Sequence, residues 1–370
     1  MNIKGNFKFI LIGSTVFLIA YLFVAAIPLG SDINFEPVWT IEISQDSQDL
    51  KDLQNLESPI ENKQISIAAT SETFILGDTF GYFSPDGTIL KSTQTKDLIA
   101  ASSFGWSINP QEAVNPILYS PIGEKILSIT GEGNIHIDED RIYLFRPGGD
   151  GVSQYSKEGK ILWSREHIAP ITAFNSSKAG TIIGYADGKL MYITKEGTTL
   201  FSIYPGGSNY QIILGVALSD DGKQIICLSG IEKQRILVIS ITGNQHKIVH
   251  HEYLETDARK NCFAHFTPNG NFAFVEVSGA LAIIDCKKNE IYTVAVAGEI
   301  VSVGEDPVGS LFTVLSKHDS IYTLTAIERP NRIAGKTTFT AKNAFLIQRA
   351  NTIYLGTDSK ISRINIRGTK

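Results

Sequence analysis

The sequence predicts an all-β fold, an eight-bladed β-propeller preceded by one N-terminal transmembrane helix, and three observations carry that expectation. The turns Ser84-Pro-Asp-Gly87, Ser120-Pro-Ile-Gly123, Ser156-Lys-Glu-Gly159 and Thr194-Lys-Glu-Gly197 place their glycines 36, 36 and 38 residues apart. A second turn family, Ser219-Asp-Asp-Gly222, Thr267-Pro-Asn-Gly270 and more loosely Glu305-Asp-Pro-Val-Gly309, alternates with the first as a meander requires. Phe9 to Leu29 is a run of 21 uncharged residues. A period of about 40 residues with almost no helical periodicity indicates four-stranded blades around an axis.

Taken in order, residues 1–8 contain Lys4 and Lys8 and are expected to stay in the cytoplasm, because positive charge is retained on that side. Residues 9–29 are long enough, at about 1.5 Å per residue, to cross one bilayer as a signal anchor. The alternative is a cleaved signal peptide with Val24-Ala25-Ala26 at the cut, leaving a secreted or periplasmic protein. Residues 30–37 then form a short tether, so the propeller, on the extracytoplasmic side, is held near the membrane. Val38 to Ile43 alternates as a strand. Ser44 to Gln64 is polar and reads as a solvated loop, with a short amphipathic helix over Ser47–Leu56 as the alternative.

The repeating stretch is clearest at residues 181–203. Asp187-Gly188 supplies the positive φ of a two-residue hairpin, and Thr194–Gly197 makes the next turn. Comparable units lie near 65–92, 97–129, 133–164, 170–203, 211–251, 261–296 and 299–338. An eighth has strands at Ala344–Arg349, Thr352–Thr357 and Lys360–Ile366 but no fourth strand. Residues 38–43 supply it, closing a ring over 38–366 without a long free edge. Seven blades is the alternative, because unit two is irregular around Trp106-Ser-Ile-Asn-Pro110.

Gly159-Lys-Ile-Leu-Trp163, following Gly151-Val-Ser-Gln-Tyr155, resembles the quinoprotein-type repeat, whose outer strand carries a tryptophan and which also builds eight-bladed outer-membrane assembly scaffolds. Trp163 holds that position, with Phe201 in the next unit and Lys91 and Leu127 in earlier ones, and Val38–Ile43 resembles Ile161–Ser164. Ala217-Leu-Ser-Asp-Asp-Gly222 and Phe266-Thr-Pro-Asn-Gly270 are similar to WD40-type turns. The resemblance implies a non-catalytic propeller. Catalytic quinoproteins use neighbouring cysteines and acidic calcium ligands, whereas Cys227, Cys262 and Cys286 are scattered; the scaffolds are lipoproteins, yet no cysteine precedes Cys227.

No other constellation carries chemistry. The three cysteines read as small buried hydrophobes, although strand register is compatible with a Cys262–Cys286 disulfide. His246, His250 and His251 are too far apart or point to opposite strand faces, so no metal site is expected. Gly148-Gly-Asp-Gly151 and Pro205-Gly-Gly-Ser208 precede strands rather than helices and read as turns, not phosphate cradles. The net charge of −5 and the lack of a basic stripe exclude nucleic acid as the main partner.

What remains is the face made by the second-to-third-strand loops and the connections between blades. Its most distinctive connections are Tyr204–Tyr210 and Glu252–Asn261, with Tyr204, Tyr210, Tyr253 and Arg259 as candidate contacts, because tyrosine and arginine favour interface cores. The expected role is a membrane-anchored, non-enzymatic protein-binding platform in an envelope-associated assembly. It needs no cofactor, and its partners lie at or near the membrane. A propeller enzyme or ligand sensor with its site in the central funnel is the alternative.

Overall fold

The computed structural model describes residues 14, 15, 17, 33–43, 71–305 and 311–368. Among these, no helix is long and apolar enough to cross a membrane. Except for the helical Ser14, Thr15 and Phe17, the 9–29 segment lies outside the described residues, as does the Ser47–Leu56 helix.

The described strands form eight sheets. β1 (Ile33–Glu42) stands apart from its sequence neighbours. Blade one contains β2 (Glu72–Leu76), β3 (Thr79–Phe83) and β4 (Ile89–Gln94); the innermost strand expected near residue 65 lies outside the described residues. Blade two contains β5 (Leu98–Ala101), β6 (Trp106–Asn109), β7 (Ile117–Tyr119) and β8 (Lys125–Ser128). Blade three contains β9 (Asn134–Asp138), β10 (Arg141–Phe145), β11 (Gly151–Tyr155) and β12 (Ile161–Glu166). Blade four contains β13 (Ile171–Ser177), β14 (Gly180–Tyr185), β15 (Leu190–Thr194) and β16 (Thr199–Ile203). Blade five contains β17 (Tyr210–Leu218), β18 (Gln224–Ile231), β19 (Arg235–Thr242) and β20 (Gln245–Tyr253). Blade six contains β21 (Ala264–Phe266), β22 (Phe272–Val277), β23 (Ala280–Asp285) and β24 (Glu290–Ala295). Blade seven contains β25 (Glu299–Glu305), β26 (Leu311–His318), β27 (Ile321–Glu328) and β28 (Arg332–Thr340). Blade eight contains β29 (Ala344–Arg349), β30 (Thr352–Thr357) and β31 (Lys360–Gly368), with β1 as its outermost strand.

Each blade is stacked between two others, so its middle strands are buried on both faces and lose the polar alternation of a half-exposed sheet. β14 is buried throughout, whereas in the outer β16 only Phe201 is buried. The core is accordingly divided among blade interfaces. Leu237 and Ile225 of blade five meet Ile182 and Leu190 of blade four, while Phe74 and Phe83 of blade one meet Tyr354 and Ile361 of blade eight.

The glycine register has a packing cause. Gly87, Gly123, Gly159 and Gly197 all have left-handed φ, and each donates its N–H to the residue three before it. A Cβ on Gly87 would come 3.2 Å from the Trp39 ring, and one on Gly197 would come 3.0 Å from Trp163. Lys91 and Leu127 take the same position against Gly123 and Gly159. The outer strand of one blade thus covers the turn of the next, which fixes the spacing.

Two details depart from the sequence reading. Gly188 alone is left-handed in the Asp187-Gly188 turn, where it donates to the Tyr185 carbonyl at 3.0 Å. The connection is therefore a longer turn ending in a left-handed glycine rather than a two-residue hairpin. β1 also begins at Ile33, five residues before Val38, so the 30–37 tether is largely strand. Pro37 is tolerated because β1 is an outer strand with a register shift between Pro37 and Trp39. Ile33 and Phe35 pack against the Leu315 and Leu346 cluster, and Glu36 pairs with Arg367 at 2.9 Å.

β1 is antiparallel to β31, with Ile33 opposite Gly368 and Glu42 opposite Lys360. The chain therefore enters the ring on the face that carries turns such as Ser84–Gly87. The Tyr204 and Tyr253 connections lie on the opposite face.

Candidate binding platform

Three connections above blades four to six are built into one surface. The 232–234 loop between β18 and β19 contains two successive left-handed residues without glycine, Glu232 (φ 55) and Lys233 (φ 68). Such backbone is costly unless its surroundings hold it. Asp257 supplies that hold, accepting the Glu232 N–H at 2.6 Å and the Gln234 N–H at 3.3 Å.

Gln234 is completely buried. Its amide nitrogen donates to the carbonyls of Gly230 and Ala258 at 2.8 and 2.9 Å, and its oxygen accepts the Ala258 N–H at 2.9 Å. A buried amide with three partners makes the 232–234 and 254–263 connections one body. The third connection, 204–209, is tied in by Asn209, whose N–H donates to the Glu232 carbonyl at 2.9 Å. Arg235 donates from Nη2 to the Pro205 and Gly206 carbonyls, both at 2.7 Å, and its guanidinium lies 5.9 Å from the Tyr253 ring centre. Tyr253 donates its hydroxyl to the Gly207 carbonyl at 3.3 Å.

Tyr204, Tyr210 and Tyr253 are all exposed on this surface. Tyr204 donates to Asp187 at 3.2 Å, and the same carboxylate oxygen lies 2.7 Å from His167 Nε2. Partial burial opposes ionisation of Asp187, but the hydrogen bonds from His167 and the Lys189 N–H hold its pKa below the usual value. Ile168, next to His167, is fully exposed. Arg259 is set apart from the tyrosines, in a 460 Å³ hollow shared with Lys260, Glu276 and Glu299. There Lys260 lies 3.0 Å from each of the two glutamates.

Sequence reading missed Gln234, Arg235, Asp257, His167 and Asp187. Only Asp187, before a turn glycine, carried a local signal, and that signal concerned the turn.

At the axis, Phe145, Ile171, Phe174, Leu214, Val216 and Phe263 line a 420 Å³ cavity. His136 beside it keeps solvent contact yet packs against Tyr143, Phe145 and Phe174, and this enclosure holds its pKa below the ordinary imidazole value. His246 lies tilted against Phe201, while His251 meets the edge of Tyr253. Among the described residues, no group of His, Cys, Asp and Glu is arranged to hold a metal. Cys227, Cys262 and Cys286 are all free thiols.

The chain is similar throughout to proteins of this architecture. An uncharacterized protein of Treponema pallidum (strain Nichols) is 36% identical over 370 residues, covering 100% of this chain and 96% of that protein. The crystal structure of BamB from Moraxella catarrhalis matches with a TM-score of 0.58 at 11% identity, covering 90% of this chain and 100% of that one. The computationally designed Ika8 protein also matches at 0.58 and 11% identity, covering 80% of this chain and 96% of its own. At such identities these two structures speak to the fold alone. The family description that matches residues 1–370 is beta-propeller protein, and the chain belongs to that family.

Proposed function

We propose that this propeller is a membrane-anchored, extracytoplasmic and non-enzymatic platform that binds a protein partner within an envelope-associated assembly. The observation that carries the reading is the mutual locking of the 204–209, 232–234 and 254–263 connections, which presents Tyr204, Tyr210 and Tyr253 on a rigid base. Rigid aromatic side chains bind at low entropic cost. The uncharged 9–29 run behind Lys4 and Lys8 supports the anchor.

The direction of β1 refines where the partner sits. An anchor preceding Ile33 joins the face opposite the platform. With about 3.3 Å of rise per residue, the ten residues of β1 separate the two faces by roughly 30 Å. This supports a partner on the membrane-distal side of the propeller rather than at the bilayer surface expected from the sequence.

Affinity recovery of the full-length protein from gently solubilised membranes tests the reading, comparing wild type with a variant in which Tyr204, Tyr210 and Tyr253 are all serine. A recurrent partner lost in the variant is expected. Recovery of a free monomer, or of the same partner with both proteins, would contradict it. The 420 Å³ axial cavity favours a second reading, a ligand sensor or enzyme with its site in the funnel.

A further inference from the structure

The 420 Å³ axial cavity lies at the platform end of the channel, where Ile171 and Thr172 begin β13 and Asn261, Cys262 and Phe263 close the 254–263 connection. Its rings are Phe145, Phe174 and Phe263, each only partly buried. Phe145 and Phe174 meet edge to face, with centres 4.9 Å apart and planes at 75°. A third ring entering the cavity would meet one face and one edge, and both arrangements are favourable for aromatic pairs. Covering these half-exposed rings removes apolar surface from water without moving any loop of the platform.

No charged side chain lines the cavity. The carboxylates that act on His265, the neighbour of the lining Ala264, are Asp138, Glu139 and Asp220, and they are already matched by Arg141 and Lys178. Nothing there compensates the desolvation of an ionic ligand. Two of the three polar side chains in the lining are committed, Thr172 Oγ1 to the Ile213 carbonyl at 2.6 Å and Cys262 Sγ to the Lys260 carbonyl at 3.3 Å. Asn261 is exposed, and its side chain has no hydrogen-bond partner among the described residues. A cavity of about 150 Å³ is enough for one benzene, so the space here admits two fused rings with a small substituent.

We propose that the axial cavity binds an uncharged aromatic small molecule, its rings against Phe145, Phe174 and Phe263 and one hydrogen-bonding group held by the Asn261 amide. This inference rests on the second reading, a ligand sensor with its site in the funnel, and names the class of ligand. It is independent of the protein partner, since the platform loops stay as they are.

The test follows the methyl resonances of Ile171, Leu214 and Val216 in the full-length protein in detergent at pH 7. Those of Leu315 and Ile353, buried between blades seven and eight, control for uptake elsewhere. The probes are 2-naphthylmethanol, 2-naphthoate and 2-naphthylmethylammonium, which differ in charge. A saturable shift of the three cavity methyls with 2-naphthylmethanol is expected, with both charged probes at least tenfold weaker. Asn261→Ala, an exposed change, should weaken 2-naphthylmethanol severalfold and leave 2-methylnaphthalene, which has no hydroxyl, unaffected. Equal weakening of both, or of neither, overturns the role of Asn261. A saturable response to a charged probe alone keeps the funnel site and overturns the ligand class. No saturable response to any probe, or equal shifts at Leu315 and Ile353, overturns the funnel site as well.

Discussion

The ring of Trp39 lies against Gly87, 3.2 Å from where a Cβ on that glycine would sit. The N-terminal strand thereby packs on blade one while pairing with blade eight, as Trp163 of blade three packs on Gly197 of blade four. Trp163 is buried, so Trp163→Ala should cost about 4 kcal/mol in urea unfolding. Trp39→Ala should cost less, about 2 kcal/mol, because that residue is only partly buried. Unchanged midpoints would mean that these contacts do not hold the register.

Replacing Gln234 by alanine strands the Gly230 and Ala258 carbonyls and the Ala258 N–H in a buried place. A loss of about 2–3 kcal/mol is expected, since each unsatisfied buried group is costly. Amide hydrogen exchange should quicken first at Leu254 and Ala258, where the connections are joined. Exchange there at the wild-type rate would show that the loops are not one body.

Burial pushes the thiols of Cys227, Cys262 and Cys286 up to about 12. The reactive thiolate is scarce at neutral pH, even for the half-buried Cys262. Iodoacetamide should leave native protein almost unmodified at pH 7 and label all three cysteines after unfolding. Labelling of Cys262 should rise as pH approaches that value; rapid labelling at pH 7 would contradict the burial argument.

His136 stays exposed at one side, but the crowding of Tyr143, Phe145 and Phe174 around its ring desolvates it and lowers its folded pKa, against the weaker opposing effect of Asp138. Below the ordinary imidazole value of 6.5 the unfolded chain takes up a proton that the folded chain resists. Its contribution is therefore full above that value and is lost as pH falls from there towards the folded pKa. His136→Phe, which suits the surrounding rings, should flatten this part of the stability profile. An unaltered acid limb in urea titrations would contradict the assignment.

The blades were legible because their turns demand glycine. At Gly87, Gly123, Gly159 and Gly197 a left-handed backbone favours glycine, and at Gly87 and Gly197 a covering tryptophan also crowds a Cβ, so the repeat is written in the chain. The start of β1 was not, since Pro37 reads as a break although a register shift on an outer strand accommodates it. The platform was harder still. Tyr204 and Tyr253 stand out by residue type, but the residues that join their connections do not. Gln234 meets Ala258 across 24 positions, and Glu232 and Lys233 turn left-handed with no glycine to mark them.

The most direct measurement is photo-cross-linking in intact membranes, with the reactive group placed in turn at 204, 210 and 253 on one face and at 86, 158 and 196 on the other. The account predicts one recurrent protein adduct from the first three positions and none from the second three. Adducts only from the turn face, or the same adducts from both, would contradict a platform formed by the three connections.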